Sequence, residues 1–228
     1  MTIPNLSIVL PTKNEAEGIE RVIESIKPYS DDIIIVDGHS NDGTREIAQK
    51  CGVRFVLDNG ISYGDAIKVG IREAKGDILV FFVGDGSNDP KDIPKLAQPI
   101  IDKRADLVIG SRRKGGSEDV EISFTGIIRA VGCDVLTMII NYRWNVKLTD
   151  GINGYKAIRR DVILGLDLKA DDFIIEQETV IKCLRKGYKI LEIPTHEYAR
   201  GWGSSKLKTS AGIRFFIHMM GDVLTFTS

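Results

Sequence analysis

The sequence predicts an α/β protein: a mostly parallel sheet with helices packed on its faces. Three observations lead there. Short apolar runs recur through the first 110 residues, helix-like stretches of about 8–12 residues separate them, and glycines with polar residues gather just after several of the runs. In a doubly wound sheet those strand ends are where ligands bind.

The runs are LSIVL (6–10), DIIIV (32–36), VRFVL (53–57), DILVFFV (77–83) and ADLVIG (105–110). They are continuous rather than alternating, as expected of strands covered on both faces. Helical patterns fill 15–26, 44–51, 64–74 and 92–101. After Arg112 the repetition stops. A polar loop, KGGSED (114–119), leads into a long helical stretch over 122–142. A strand at 154–158, a helix at 175–185, a strand KILEIP (189–194), a Gly/Ser/Lys loop (200–208) and a terminal helix complete the expected order. There is no internal repeat.

With 228 residues, 43% hydrophobic and 28% charged, the chain has ordinary globular composition and enough length for a well-buried core. A net charge of −1 argues against nucleic acid as a partner, so any basic site must be local. The cysteines, Cys51, Cys133 and Cys183, are odd in number and widely spaced, which fits reduced thiols better than a disulfide framework. No Cys/His cluster has zinc spacing. The N-terminus reads straight into a strand without the basic and apolar regions of a signal peptide.

The first strand runs into Pro11-Thr12-Lys13-Asn14-Glu15 and the second into Asp37-Gly38-His39-Ser40-Asn41-Asp42-Gly43-Thr44. Asp37 follows four apolar residues and precedes glycine, which suits a carboxylate accepting from the N–H groups of a nucleobase. Asp42 suits an N-cap of the next helix. The fourth strand ends in Val83-Gly84-Asp85-Gly86-Ser87-Asn88-Asp89-Pro90. A carboxylate flanked by glycines lets a diphosphate and a divalent cation approach closely; the same residues also make an ordinary turn. Arg200-Gly201-Trp202-Gly203-Ser204-Ser205-Lys206 sets two cations in a small-residue loop, a combination that suits an anionic phosphate. An exposed tryptophan in such a loop is unusual without a partner. Glu176 fits helix-dipole compensation. Asp150, ahead of GINGYKA, fits an acceptor-site role and a structural one equally, and the three histidines do not cluster.

Taken in order, SIVLPTKNE, IIIVDGHSNDGT, AKGDILVFFVGDGSNDP, LVIGSR, DGINGYKAIRRDV and EIPTHEYARGWGSSKL resemble the family 2 glycosyltransferases of GT-A fold, in particular the dolichyl (polyprenyl) phosphate mannose synthases. The resemblance covers nearly the whole chain. It implies an inverting transfer of a hexose from a GDP- or UDP-sugar to a polyprenyl phosphate. It implies donor contacts from Pro11, Lys13, Glu15, Ile35, Asp37, Gly84, Asp85 and Arg112. It further implies a divalent metal (Mg²⁺ or Mn²⁺) at Asp85 and Ser87, acceptor contacts from Arg200, Ser205, Lys206 and Asp150, and catalytic roles for Asp85, Arg200 and Lys206. Three positions depart from the family pattern: Lys13 replaces an aromatic residue, Val83 replaces the first aspartate of the DxD element, and Ser87 replaces a glutamine. Fewer carboxylates hold a divalent ion less tightly.

On this reading residues 1–210 form the transferase domain, with 1–112 the nucleotide-sugar half and 113–210 the acceptor half; 211–228 form an amphipathic helix. In that last segment Arg214, His218 and Asp222 make one polar stripe and the remaining face is apolar, which suits a membrane interface more than packing on the core. The chain is therefore expected to be cytoplasmic and peripheral on a membrane face, whole or as the catalytic part of a longer protein with spanning helices. The 122–142 helix carries a similar apolar content that suits either the core or lipid.

Overall fold

The computed structural model describes residues 2–3, 5–118, 124–202, 218 and 221. Seven strands form one sheet: β1 (Leu6–Thr12), β2 (Asp32–Asp37), β3 (Arg54–Leu57), β4 (Ile78–Phe81), β5 (Leu107–Ser111), β6 (Lys156–Arg159) and β7 (Ile190–Pro194). Their order is β3-β2-β1-β4-β6-β5-β7. All pairings are parallel except those of β6, which runs antiparallel to both β4 and β5. The predicted fold class, a mostly parallel sheet flanked by helices, is the one observed.

The helices are α1 (Ile19–Ile26), α2 (Thr44–Lys50), α3 (Tyr63–Glu73), α4 (Ile93–Ile101), α5 (Arg112–Gly115), α6 (Phe124–Trp144), α7 (Arg160–Leu164) and α8 (Ile174–Arg185). Strand side chains alternate between two cores because the side-chain period of a strand is two. Ile8 and Leu10 of β1 join Ile33, Ile35, Val80 and Phe82 under α1 and α4. Val9 joins Ile34, Val36, Leu79 and Phe81 on the face of α3, α6 and α8. The apolar stripe of α1, Ile19-Val22-Ile23-Ile26, is wholly buried, at roughly 1.5–3 kcal/mol per side chain.

The first helix starts at Ile19 rather than at residue 15, because the carbonyl of Glu15 accepts from Gly18 N and Ile19 N in a turn while the Glu15 amide goes to Thr44 Oγ1. Helix α6 meets the core through Leu136 and Ile140, whereas Val131, Val135, Met138 and Tyr142 are exposed. No helix among the described residues is long and apolar enough to cross a membrane. The expected terminal helix lies outside the described residues.

The chain order fixes where a ligand can enter. From β1 the chain crosses to β2 on one side, then returns past β1 to β4 on the other. The crevice beyond the C-terminal ends of β1 and β4 is the switch point of the sheet.

Candidate functional site

The loops after β1 and β2 are laced together at that edge. Asn14, at φ +54°, donates its amide to Ser40 Oγ and accepts from Asn41 N on its side-chain oxygen. Asp42 accepts from Thr44 N (3.0 Å) at the start of α2 and from Ala16 N (3.0 Å) across the gap. The N-cap of α2 is Gly43, without a side-chain cap bond, so Asp42 stands one residue ahead of its expected capping position and ties the two loops instead. These hydrogen bonds hold its carboxyl below the ordinary aspartate range, against the burial that would raise it. Asp37 is 1% exposed and accepts from Ser40 N (2.7 Å), Ser40 Oγ (2.6 Å) and Thr12 Oγ1 (3.2 Å). Lys13 Nζ donates to the carbonyls of Gly38 and His39. Pro11 pairs in register with Val36 beside them. Ile35 differs from its expected place: its side chain is fully buried in the core under α1 and α4, since it lies two residues inside the strand end. A contact with a ligand at the sheet edge would have to come from its backbone.

After β4 the chain turns through Gly84 and Asp85. A Cβ on Gly84 would lie 3.5 Å from Thr12 Cγ2 and 3.8 Å from Glu15 Cγ, so this loop passes directly against the end of β1. Asp85 is buried; its Oδ1 accepts from Ser87 N (3.0 Å) and Ser87 Oγ (2.7 Å). Its Oδ2 lies 3.2 Å from Arg200 Nη1. The late segment runs alongside. Tyr198 N donates to Ser87 O (2.8 Å), Gly201 N donates to Asp85 O (3.0 Å), and Asn88 and Glu197 form an antiparallel bridge. Trp202 Nε1 donates to Glu15 Oε2 at 2.8 Å. Glu15 and Trp202, 187 residues apart in sequence, thus meet at the same edge as Asp85 and Arg200. Ser205 and Lys206 lie outside the described residues.

Arg112 and Asp150 meet in a different way. Both oxygens of the buried Asp150 accept from the Arg112 guanidinium, Oδ2 from Nε at 2.7 Å and Oδ1 from Nη2 at 2.9 Å, and Oδ2 also accepts from Arg112 N. Arg112 Nη1 reaches Glu197 Oε1 at 3.4 Å. Asp150 is therefore committed to orienting Arg112, which takes the structural alternative of the sequence reading. Glu197, not singled out from sequence, links Arg112, Ser117 and the Asn88 bridge. Its signal was its place inside the EIPTHEYAR segment.

Glu176 is expected from sequence to compensate the helix dipole. It does lie in the first turn of α8, but its carboxylate also pairs with the buried Lys156 of β6 and accepts from Tyr63 OH at 2.7 Å. Glu178 accepts from Lys169 N and Ala170 N and pairs with Lys182, a structural assignment.

Among the described residues no group of three or more His, Cys, Asp or Glu side chains is placed to hold a metal. Asp85 with the Ser87 hydroxyl is nonetheless an oxygen donor set of the kind hard cations accept. Mg²⁺ is commonly held by one or two carboxylates plus substrate phosphates rather than by an all-protein cage. The residues present fit a weakly held divalent ion completed by a diphosphate.

Comparison with known proteins agrees with this architecture. The profile "Glycosyl transferase family 2" matches residues 7–165. The glycosyltransferase AglJ of Haloferax volcanii is 30% identical over 202 residues, covering 86% of this chain and 64% of that protein. The dolichol-phosphate mannosyltransferase of Pyrococcus furiosus is 30% identical over 226 residues, covering 94% of this chain. The chain spans only 62% of the length of that enzyme. In fold, it is similar to glucosyl-3-phosphoglycerate synthase of Mycobacterium tuberculosis, solved with Mg²⁺ and uridine diphosphate, with a TM-score of 0.76 at 21% identity over 98% of this chain and 80% of that one. A seven-stranded, mostly parallel sheet with its loops gathered at the β1/β4 switch point, together with a profile match over most of the chain, makes this protein a member of glycosyl transferase family 2.

Proposed function

We propose that the chain transfers a hexose from a nucleotide sugar to a polyprenyl phosphate, with inversion, at the cytoplasmic face of a membrane. The observation that carries this reading is the 3.2 Å contact of Arg200 with Asp85, which brings a cation of the late segment to the edge where the donor diphosphate belongs. Asp37, Lys13, Glu15, Pro11 and the backbone at Ile35 would hold the nucleoside, and Gly84 leaves room for the diphosphate. Arg112, oriented by Asp150, stands toward the same edge. Arg200, with Ser205 and Lys206 farther along the same segment, would hold the acceptor phosphate. Glucosyl-3-phosphoglycerate synthase, similar in fold, was crystallised with Mn²⁺ or Mg²⁺ and uridine diphosphate, and a relative of 30% identity is a dolichol-phosphate mannosyltransferase.

The reaction joins two anions. A phosphate monoester is largely dianionic at pH 7, its second pKa being about 6. Its oxygen attacks the anomeric carbon, the C–O bond to the nucleoside diphosphate breaks, and no dedicated general base is needed. The chain's task is to bring the two anions together and stabilise charge on the leaving group. A divalent ion at Asp85 and Ser87, when bound, would neutralise part of that charge. Residues 211–228 would rest on the membrane beside the lipid.

The test is a screen of labelled GDP- and UDP-hexoses with polyprenyl phosphate or water-soluble acceptors, with Mg²⁺ or Mn²⁺. Label passing into the organic phase supports the reading. Transfer to soluble acceptors alone would replace the acceptor class, and tight nucleotide binding with no transfer to any acceptor would make the chain a binding protein.

A further inference from the structure

We infer that Trp202 is a positioning residue, a latch that holds the Arg200-bearing segment against the Asp85 loop. This rests on the proposed role of Arg200 for its catalytic meaning, but its geometry stands alone. The indole is seated in a slot built by two separate parts of the chain, residues 15–21 and the loop at Gly86. Its Nε1 donates to Glu15 Oε2 at 2.8 Å, and Glu15 is only 8% exposed. The guanidinium of Arg21, on α1, lies 5.3 Å from the ring centroid, within cation–π range.

The walls of the slot are shaped by missing side chains. A Cβ on Gly18 would overlap the six-membered ring of Trp202. A Cβ on Gly86, from the loop after β4, would come within 2.9 Å of Trp202 Cη2. Two glycines 68 residues apart in sequence thus leave a gap of indole width between the β1–α1 turn and the Asp85 loop. Gly18 has φ −134° and is the N-cap of α1 without a side-chain cap bond. Its backbone angle is open to any L residue, so packing against the indole is the reason for glycine there. Gly86, at φ +80°, needs glycine for its backbone as well.

The latch acts on the residues before it. Two positions upstream, Arg200 meets Asp85; one upstream, Gly201 N donates to Asp85 O; four upstream, Tyr198 N donates to Ser87 O. A short segment with few backbone bonds keeps little order unless its end is tied. A large, rigid ring that buries its apolar body and satisfies its N–H ties an end at low entropic cost. Trp202 therefore sets Arg200 within a range over which an error of about 1 Å is costly in rate.

Gly18→Ala tests this without altering Trp202, Glu15 or Arg200. Amide exchange by NMR reads the segment directly. We expect the Gly201 and Tyr198 amides, protected in the wild type, to lose at least tenfold in protection in Gly18→Ala while the β1 and β4 amides keep theirs. The chain has two tryptophans, so a Trp144→Phe background isolates the second one. In that background acrylamide should quench Trp202 at least threefold more readily once Gly18 carries a methyl group. With acceptor saturating, kcat should fall at least tenfold and donor KM by less than threefold, and Trp202→Phe should recover more activity than Trp202→Ala. Unchanged Gly201 protection after Trp202 has become quenchable would overturn the latch, as would a folded Gly18→Ala enzyme with kcat within twofold of wild type. Should Gly18→Ala not fold, Trp202→Ala read by the same amide exchange decides the matter. Absence of wild-type transfer to every acceptor would count against the proposed function instead, and the exchange data would still decide the latch.

Discussion

Replacing Asp85 by asparagine separates the charge at the β4 end from its shape. The amide keeps an oxygen for Ser87 N and Ser87 Oγ, which Asp85 Oδ1 now serves at 3.0 and 2.7 Å. What is lost is the anion facing Arg200 at 3.2 Å. Removing one partner of a fully buried pair costs about 3–5 kcal/mol. Here the Arg200 side chain is 26% exposed and regains water, so the cost should be nearer 1–2 kcal/mol. For a chain of this size that lowers Tm by about 2–8 °C, and the enzyme stays folded at assay temperature. The effect on turnover should be larger. With the carboxylate that would hold the divalent ion on the leaving diphosphate gone, kcat should fall roughly 10²-fold or more. Steady-state transfer from a labelled nucleotide sugar, run beside a thermal melt, reads both numbers. A folded Asp85→Asn enzyme with kcat within threefold of wild type would refute the assignment of this edge to the donor diphosphate.

Other consequences concern stability and titration. Gly64→Ala should lower the urea midpoint by the equivalent of about 1–3 kcal/mol, because its Cβ would meet backbone atoms of 170–172 at 2.6–2.7 Å and backbone cannot swing aside; an unchanged midpoint contradicts that packing. Cys183, fully buried on α8, has its thiol pushed up to about 12 by burial. It should therefore resist aromatic disulfide reagents at pH 8 until the chain unfolds; mass spectrometry showing it labelled in the native state would contradict the burial. His196 has its pKa raised above the usual histidine value by the Glu118 carboxylate it meets at 2.9 Å, with help from the Gly115 carbonyl. A raised folded value means that the stabilisation from this pair is present below the unfolded histidine pKa, about 6.5, and fades as pH rises through the folded one. NMR titration should place the midpoint above the free-histidine value and Glu118→Gln should bring it down; no difference between the two proteins would refute the pairing.

What could be read from sequence follows from what is local. Continuous apolar runs marked β1 to β5, and β1, β2, β4 and β5 are buried along nearly their whole length; β6 and β7 were read from shorter, mixed segments. The short α5 and α7, of four and five residues, left no mark: periodicity needs a longer window. The bond between Asp42 and Thr44 was legible because the two are only two residues apart, although the N-cap of α2 proved to be Gly43. The commitment of Asp150 to Arg112 was not, since the two lie 38 positions apart and either residue alone suits a binding site. Glu176 likewise reads as a helix-terminus acid until β6 brings Lys156 beneath it. The approach of Arg200 to Asp85 was anticipated only through motif order; no spacing rule joins residues 115 positions apart. Trp202 stood out as unusual in its loop, but the slot that explains it needs Gly18 and Gly86 in space together.

On the proposed function, Arg200 of the late segment meets an anionic acceptor at the sheet's switch point. The most direct measurement is kcat/KM for polyprenyl phosphate with wild type and Arg200→Ala, alongside the corresponding phosphate-free polyprenol. Wild type should turn over only the phosphate, and Arg200→Ala should lose roughly 10²-fold or more of that activity while still binding the nucleotide. Equal use of the alcohol, or an Arg200→Ala enzyme as active as wild type, would contradict it.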